Sequence, residues 1–255
     1  MKHQLETIIR KAGDIILQAQ SFAIEEKEGH ANYVTSVDEK VQAYLVDTLH
    51  ALLPEASLIG EEQTNAPLGD EYTWVIDPLD GTTNFIHDYH FSAISIALLK
   101  DRKPVLAAVY QPYADELFMA ELGQGATFNG KPMKVSQHDF QHALVGFGTS
   151  PYSAELAKKS LEIALHYLQE AADIRRCGSA ALDLAYLACG RQDVFFELTL
   201  NPWDFAAGAL LVTEAGGRFC LPGHEDDFGK AGTVLAANAA AAEDAFRLFH
   251  SHFDV

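Results

Sequence analysis

The stretch 73-TWVIDPLDGTTNF-85 begins as one kind of sequence and ends as another. Trp74, Val75 and Ile76 read as a buried strand. Asp77 and Asp80 then flank Pro78 and Leu79. Proline cannot donate to a strand ladder, so the strand is expected to end there and the chain to turn. Such a turn would let Asp77, the Leu79 carbonyl and Asp80 converge, and an all-oxygen set of this kind suits Mg²⁺. Gly81 permits a tight backbone, and Thr82, Thr83 and Asn84 look like a first helical turn, whose unpaired N–H groups bind phosphate well. A bare DxxD equally describes a strand-end turn with solvated aspartates. The strand, proline, glycine and hydroxyl residues around this one favour a site.

Three other segments offer matching acids. "ASLIGEE" ends a short strand in Gly60, Glu61 and Glu62, which alone reads as a solvated loop. "NPWDFAAGALLVTEAGG" puts Asp204 at a helix start, where a simple N-cap competes with any chemical role. Its small residues Ala206, Ala207, Gly208 and Ala209 allow close helix packing, and Gly216-Gly217 gives a stop. "NYVTSVDEKVQ" sets Thr35 and Asp38 near another helix start, with Thr35 or Ser36 as the cap. Spacing alone does not bring these four segments together.

Outward from them, apolar periodicity predicts helix 3–22 and helix 38–52, then strands near 56–60 and 72–77. Strands near 91–99, 104–111 and 115–121, with turns at "LKDRK" and "QPYAD", predict an antiparallel meander. "GQGATFNGKP" is a Gly-rich connection into a further short strand. After about residue 140 the pattern alternates. Strands 143–147, 173–176 and 193–197 are interleaved with helices 153–170, 179–189 and 204–215. Strands 217–220 and 233–236 and helix 239–250 complete the chain. The expected fold is α+β, layered, with two sheets and two halves (1–140 and 141–255) sharing one core in a single domain.

The composition is that of a soluble globular protein, 48% apolar and 21% charged. No apolar run reaches the roughly 20 residues of a membrane span, and the N-terminus reads as an amphipathic helix and not a signal peptide. A cytoplasmic location is the default expectation. Acids outnumber bases 36 to 18, a balance that repels nucleic acid and anionic membranes. A phosphate-handling enzyme so charged would need metal ions to screen its own acids. Cys177, Cys189 and Cys220 form no CxxC pair, so buried thiols are expected in place of a zinc site or disulfides.

Several motifs fail. "GATFNGKP" misses the phosphate-binding loop because Pro132 stands where a hydroxyl is required, and it reads as a β-turn. "GQGATF" lacks the last glycine of a dinucleotide fingerprint, and His87 and His90 make only a lone HxxH. No GxSxG elbow exists, and no cysteine is followed six residues later by arginine, so no protein nucleophile stands out.

Taken together, "NYVTSVDEKV", "IGEE", "WVIDPLDGTTNF" and "WDFAAGALLVTEAGG" resemble the inositol monophosphatase family, a branch of the Mg²⁺-dependent, lithium-sensitive phosphatases. They come in that family's order, from Lys27 to Gly217. The resemblance implies an αβαβα sandwich, a homodimer, and two to three Mg²⁺ ions. It implies that Glu61, Asp77 and the Leu79 carbonyl hold a first ion and Asp77, Asp80 and Asp204 a second, with Glu61 aiding a weaker third. The N–H groups of Gly81 and Thr82 would bind phosphate, and Thr82 with Asp38 would orient the attacking water. Lys27 matches a lysine near the metals. Gly178, Ser179 and Ala180 would lie by the polyol, and Glu197 would contact its hydroxyls.

The implied activity is hydrolysis of a small phosphate monoester, foremost inositol 1-phosphate, by metal-activated water. "GTTNF" resembles inositol monophosphatases more than relatives acting on 3′-phosphoadenosine 5′-phosphate, which carry Lys-Glu after Gly-Thr, or on histidinol phosphate, which often carry Arg at the place of Thr83. Fructose 1,6-bisphosphate is a further candidate substrate. A regulatory binding protein that retains the fold is the reading from another class.

Overall fold

The apolar alternation of the first half builds a seven-stranded sheet. The computed structural model describes residues 1–27, 33–62, 71–223 and 227–253. The first half contains α1 (Lys2–Leu17), β1 (Ile24–Glu26), β2 (Tyr33–Thr35), α2 (Ser36–Leu52), β3 (Ser57–Gly60) and β4 (Tyr72–Asp80). It continues through α3 (Thr82–Ile86), β5 (Ala93–Lys100), β6 (Lys103–Gln111), β7 (Glu116–Glu121), β8 (Gly125–Phe128) and β9 (Lys131–Pro132). β3 runs parallel to β4, and β4 to β9 form an antiparallel meander in sequence order. The β5–β6 turn at Asp101-Arg102 and the β8–β9 turn at Asn129-Gly130 each hold two left-handed residues, the backbone that two-residue hairpins require.

The second half alternates as expected. It comprises β10 (Leu144–Phe147), α4 (Ala154–Glu170), β11 (Asp173–Arg175), α5 (Ala180–Ala188), β12 (Val194–Leu200), α6 (Pro202–Glu214), β13 (Arg218–Cys220), β14 (Gly232–Ala237) and α7 (Ala242–His252). Its sheet has the order β11-β10-β12-β14-β13, with β10 parallel to both neighbours and β14 antiparallel to its own.

Strand parity sorts the side chains into layers. Trp74 and Ile76 pack against α1 and α2 through Leu5, Ile9, Val41 and Leu45. Val75, on the opposite face, joins Leu184 of α5 and Phe205 and Leu210 of α6, which also meet Phe195 and Val234 of the second sheet. Phe196 and Val194 face outward onto Tyr167 of α4 and Phe249 of α7. The result is an αβαβα sandwich. α5 and α6 lie between two sheets and are buried nearly all round, the condition for uniformly apolar helices. A Cβ on Gly208 would stand 2.5 Å from Leu184 Cβ, so glycine sets how closely these helices approach.

Three expectations need correction, and one strand pair carried no signal. α1 stops at Leu17, not 22; the apolar spacing continued because Phe22, outside the helix, packs on Phe85 with ring centroids 4.7 Å apart. Pro78 does not end β4. The strand continues to Asp80 through a β-bulge, in which the step from Asp77 to Asp80 faces the shorter step from Ser95 to Ala93 on β5. A bulge tolerates proline because its extra residue leaves the ladder anyway. The hairpin of β1 and β2 had no sequence signal strong enough to predict it. The three cysteines are half-buried, not buried, and none is in a disulfide. Among the described residues no helix is long and apolar enough to cross a membrane.

Candidate active site

Both halves contribute to one cavity of about 430 Å³. The bulge of β4 delivers its floor. Because three residues span two on the partner strand, Asp77 and Asp80 emerge on the same side, and both line the cavity. Leu79 N–H turns back to donate to Asp77 Oδ1 at 2.9 Å. Gly81 follows in the left-handed region at φ 92°, which side-chain-bearing residues avoid. It opens α3, so the N–H groups after it lack partners of their own in the helix.

The remaining acids come from three other elements. Glu61 follows β3, Asp204 lies in the first turn of α6, and both line the cavity. Asp204 is not the N-cap; it sits three residues after Asn201, whose N–H donates to its Oδ2 at 2.7 Å. Asp38 stands beside the cavity, not in its wall. Thr35 caps α2 in a reciprocal box, donating to Asp38 Oδ2 from backbone N–H at 2.9 Å. Oδ1 of Asp38 faces Thr82, whose Oγ1 lies 3.1 Å from it and 3.1 Å from the Leu79 carbonyl. Lys27 Nζ lies 3.2 Å from Glu61 and 2.7 Å from Glu62.

Electrostatics set the site apart. Burial, then repulsion from Glu61, Asp80 and Asp204, holds Asp77 well above the ordinary carboxylate range. Asp204 is raised likewise, by burial and then by Asp80 and Glu61. Burial pushes Glu61 to about 7 against the pull of Lys27. Asp80 rises to about 6, also by burial, with its hydrogen bonds to Ser179 and Ala181 and the nearby Arg176 opposing. Asp80 and Asp204 keep some surface open to the cavity while protein walls them on the other sides. Carboxylates crowded in this way are relieved by binding a proton or a cation.

Among the described residues no group of three or more Asp, Glu, His or Cys side chains is closed up tightly enough to hold an ion as it stands. The donor chemistry nevertheless suits a hard dication: four carboxylates, and a main-chain carbonyl that the bulge releases from the ladder. Glu61, Asp77, Asp80, Asp204 and the Leu79 carbonyl are the groups that could hold such a cation.

The far wall belongs to the second half. Gly178, Ser179 and Ala180 line it at the start of α5. Ser179 Oγ and Ala181 N–H both donate to Asp80 Oδ2, each at 2.7 Å. Asn84 Nδ2 donates to the carbonyls of Phe91, at 2.7 Å, and Cys177, at 2.9 Å, which ties α3 to the same turn. Glu197, on β12, is buried and raised to about 7, with the Ser150 N–H bonded to it at 3.2 Å. Its carboxylate occupies the space that a Cβ on Gly148 would need.

Sequence reasoning missed several wall residues. Asp183, 2% exposed, is raised by burial to about 8 and takes a hydrogen bond from Gln192 at 2.9 Å. On a uniformly apolar helix a lone acid was the available signal. Arg176 lines the mouth and donates to Thr149 Oγ1 at 3.2 Å. The Gly148–Ser153 turn, with Ser150 at φ 43°, carried no motif.

The sequence matches the model of the inositol monophosphatase family over residues 1–253. It is 39% identical to inositol monophosphatase 3 of Solanum lycopersicum over 246 residues, covering 93% of this chain and 91% of that one. It is 43% identical over 213 residues to the Nus factor SuhB of Escherichia coli K12, covering 82% and 80%. The structure of the extragenic suppressor protein suhB from Bartonella henselae superposes with a TM-score of 0.89 at 33% identity, covering 96% of each chain. With a matching model across the whole fold and relatives of this identity, the chain belongs to the inositol monophosphatase family.

Proposed function

We propose that this chain is a Mg²⁺-dependent phosphate monoester hydrolase acting foremost on inositol monophosphate. The observation that carries the reading is the gathering of Glu61, Asp77, Asp80 and Asp204, from two separate elements and the turn after β3, around a cavity that Gly81 and Thr82 also line. When bound, Mg²⁺ supplies charge neutralisation of the phosphate oxygens, acidification of water and stabilisation of the leaving alkoxide.

The chain's own groups do the rest. The N–H groups at the start of α3 hold the phosphate. Asp38 Oδ1 and Thr82 Oγ1, 3.1 Å apart, orient the attacking water and accept its proton. The Thr35 cap keeps Asp38 in place. Glu197 accepts hydrogen bonds from the polyol hydroxyls, with Gly178 and Ala180 as the adjoining wall. The sequence holds no GxSxG elbow and no cysteine followed six residues later by arginine, which supports direct in-line hydrolysis without a phosphoenzyme.

The test is phosphate release from inositol 1-phosphate, fructose 1,6-bisphosphate, histidinol phosphate and 3′-phosphoadenosine 5′-phosphate, with Mg²⁺ and with chelator. Release from inositol 1-phosphate that is greatest in the panel and abolished by chelator supports the reading. No release from any of them would sink it. Similarity to proteins named Nus factor favours, as a second reading, a regulatory binding role on the same fold; it gains if purified chain binds Mg²⁺ but hydrolyses nothing. A cytoplasmic homodimer with lithium-sensitive turnover completes the proposal, checked by light scattering and by assay in LiCl.

A further inference from the structure

Asp80 uses its two carboxylate oxygens differently. Oδ2 accepts from Ser179 Oγ and from Ala181 N–H, each at 2.7 Å. Among the described residues nothing hydrogen-bonds Oδ1. A carboxylate carried by the first half is therefore fastened through one oxygen to the start of α5 in the second. The Ser179 hydroxyl has a second task, since Oγ accepts from Leu182 N–H at 3.3 Å and so caps α5. Donor to one partner and acceptor from another, it is fully used, and it is 1% exposed.

The turn around Ser179 is pinned elsewhere too. Asn84 holds the Cys177 carbonyl, and a Cβ on Gly81 would lie 3.2 Å from the Gly178 carbonyl. The phosphate-binding turn and the substrate-side turn thus abut, with Asp80 and Ser179 bridging them.

We propose that Ser179 is a positioning residue for the cation site. Its hydroxyl fixes the Asp80 carboxylate so that Oδ1 alone is presented to the ion, which makes cation binding and seating of the Gly178–Ala180 wall a single event. This rests on the Mg²⁺-dependent reading above. Two strong donors on one oxygen define the carboxylate plane, and a carboxylate that loses an outer partner rotates and binds metal less well. The Ser179 hydroxyl accordingly faces Asp80 and the helix.

Calorimetric titration of the full chain with Mg²⁺ alone, without substrate, tests the proposal. Ser179→Ala is expected to weaken Mg²⁺ binding by about 10- to 100-fold. Ser179→Thr, which restores the hydroxyl, is expected to stay within about threefold of wild type. If Ser179→Ala does not fold, Ser179→Gly takes its place, because glycine substitutes for a helix cap at little cost; the same loss of affinity is expected. Melting of each variant in chelator reports the capping role separately. A lowered melting temperature with unchanged Mg²⁺ affinity would show that Ser179 only caps α5 and would overturn the proposal. If the wild type releases phosphate only with Mg²⁺ while Ser179→Ala binds Mg²⁺ normally, positioning fails and the phosphatase reading survives. A wild-type chain that binds no Mg²⁺ overturns both.

Discussion

At the scale of single residues, Asp77 is the most exposed to test because three acids press on it from within one buried site. Asp77→Asn keeps the shape and removes the charge. Turnover at saturating Mg²⁺ is expected to fall by about 10³-fold or more, in the range seen when a principal electrostatic group is lost. Wild-type turnover in that variant would remove Asp77 from the site. Gly148 offers a test of the opposite kind. A methyl there takes the space of the Glu197 carboxylate, so Gly148→Ala is expected to raise KM for inositol 1-phosphate about tenfold. The small aryl ester p-nitrophenyl phosphate, which has no hydroxyls for Glu197, should change less; equal losses on both substrates would count against Glu197 as the polyol contact. The acids themselves were legible in the sequence, because a strand ending in DPLDGTT is improbable as mere structure. Asp183 and Ser150 were not. Neither carries a spacing signal, and their importance arises from burial, which one-dimensional pattern does not report.

At the scale of elements, the helix starts are where sequence reading served best. Thr35, one of the two cap candidates, is the N-cap of α2 and forms a reciprocal box with Asp38. Thr35→Ala is expected to cost about 1 kcal/mol in denaturant unfolding, the usual value of a lost N-cap. It should also lower turnover, since Asp38 loses the Thr35 hydroxyl, one of the donors that orient it; Thr35→Ser should preserve both. A variant that loses stability yet keeps full turnover would separate Asp38 from the chemistry. Asp204 shows the limit of the same reasoning. Sequence left it between cap and ligand, and the structure gives it one oxygen bonded to Asn201 N–H within the first turn and a place in the cavity wall. Pro78 shows another limit. Its missing N–H was read as a stop, but a bulge accommodates it, and whether a strand stops or bulges depends on a partner strand that lies elsewhere in the sequence.

For the whole molecule, layer order was legible because helical and strand periods alternate cleanly in the second half and repeat in the first. Which segments would meet was not, since four acid-bearing stretches from residue 38 to residue 204 approach through sheet order and crossover, not through local pattern. Their collective burial has a thermodynamic signature. Asp80 at about 6, Glu61 and Glu197 at about 7 and Asp183 at about 8 all bind protons more tightly folded than unfolded. The folded state then holds more protons than the unfolded one, so stability falls as pH rises from the ordinary carboxylate range near 4 through these values. In chelator, the melting temperature is expected to drop by about 5 °C or more between pH 5.5 and pH 8. Saturating Mg²⁺ should reverse the drop at pH 8, and a flat profile without metal would contradict the acid cluster.

The bulge in β4 has a consequence for how such a site can be altered by insertion and deletion. Removing Pro78 would leave Asp77 and Asp80 two positions apart, still on one face of a now regular strand. The acids would survive, and the sheet would lose its irregularity. The Leu79 carbonyl, however, would no longer be carried on a bulge. A one-residue deletion would thus trade the carbonyl proposed as a main-chain ligand for a tidier scaffold, which sets smoother architecture and the proposed chemistry against each other at this position.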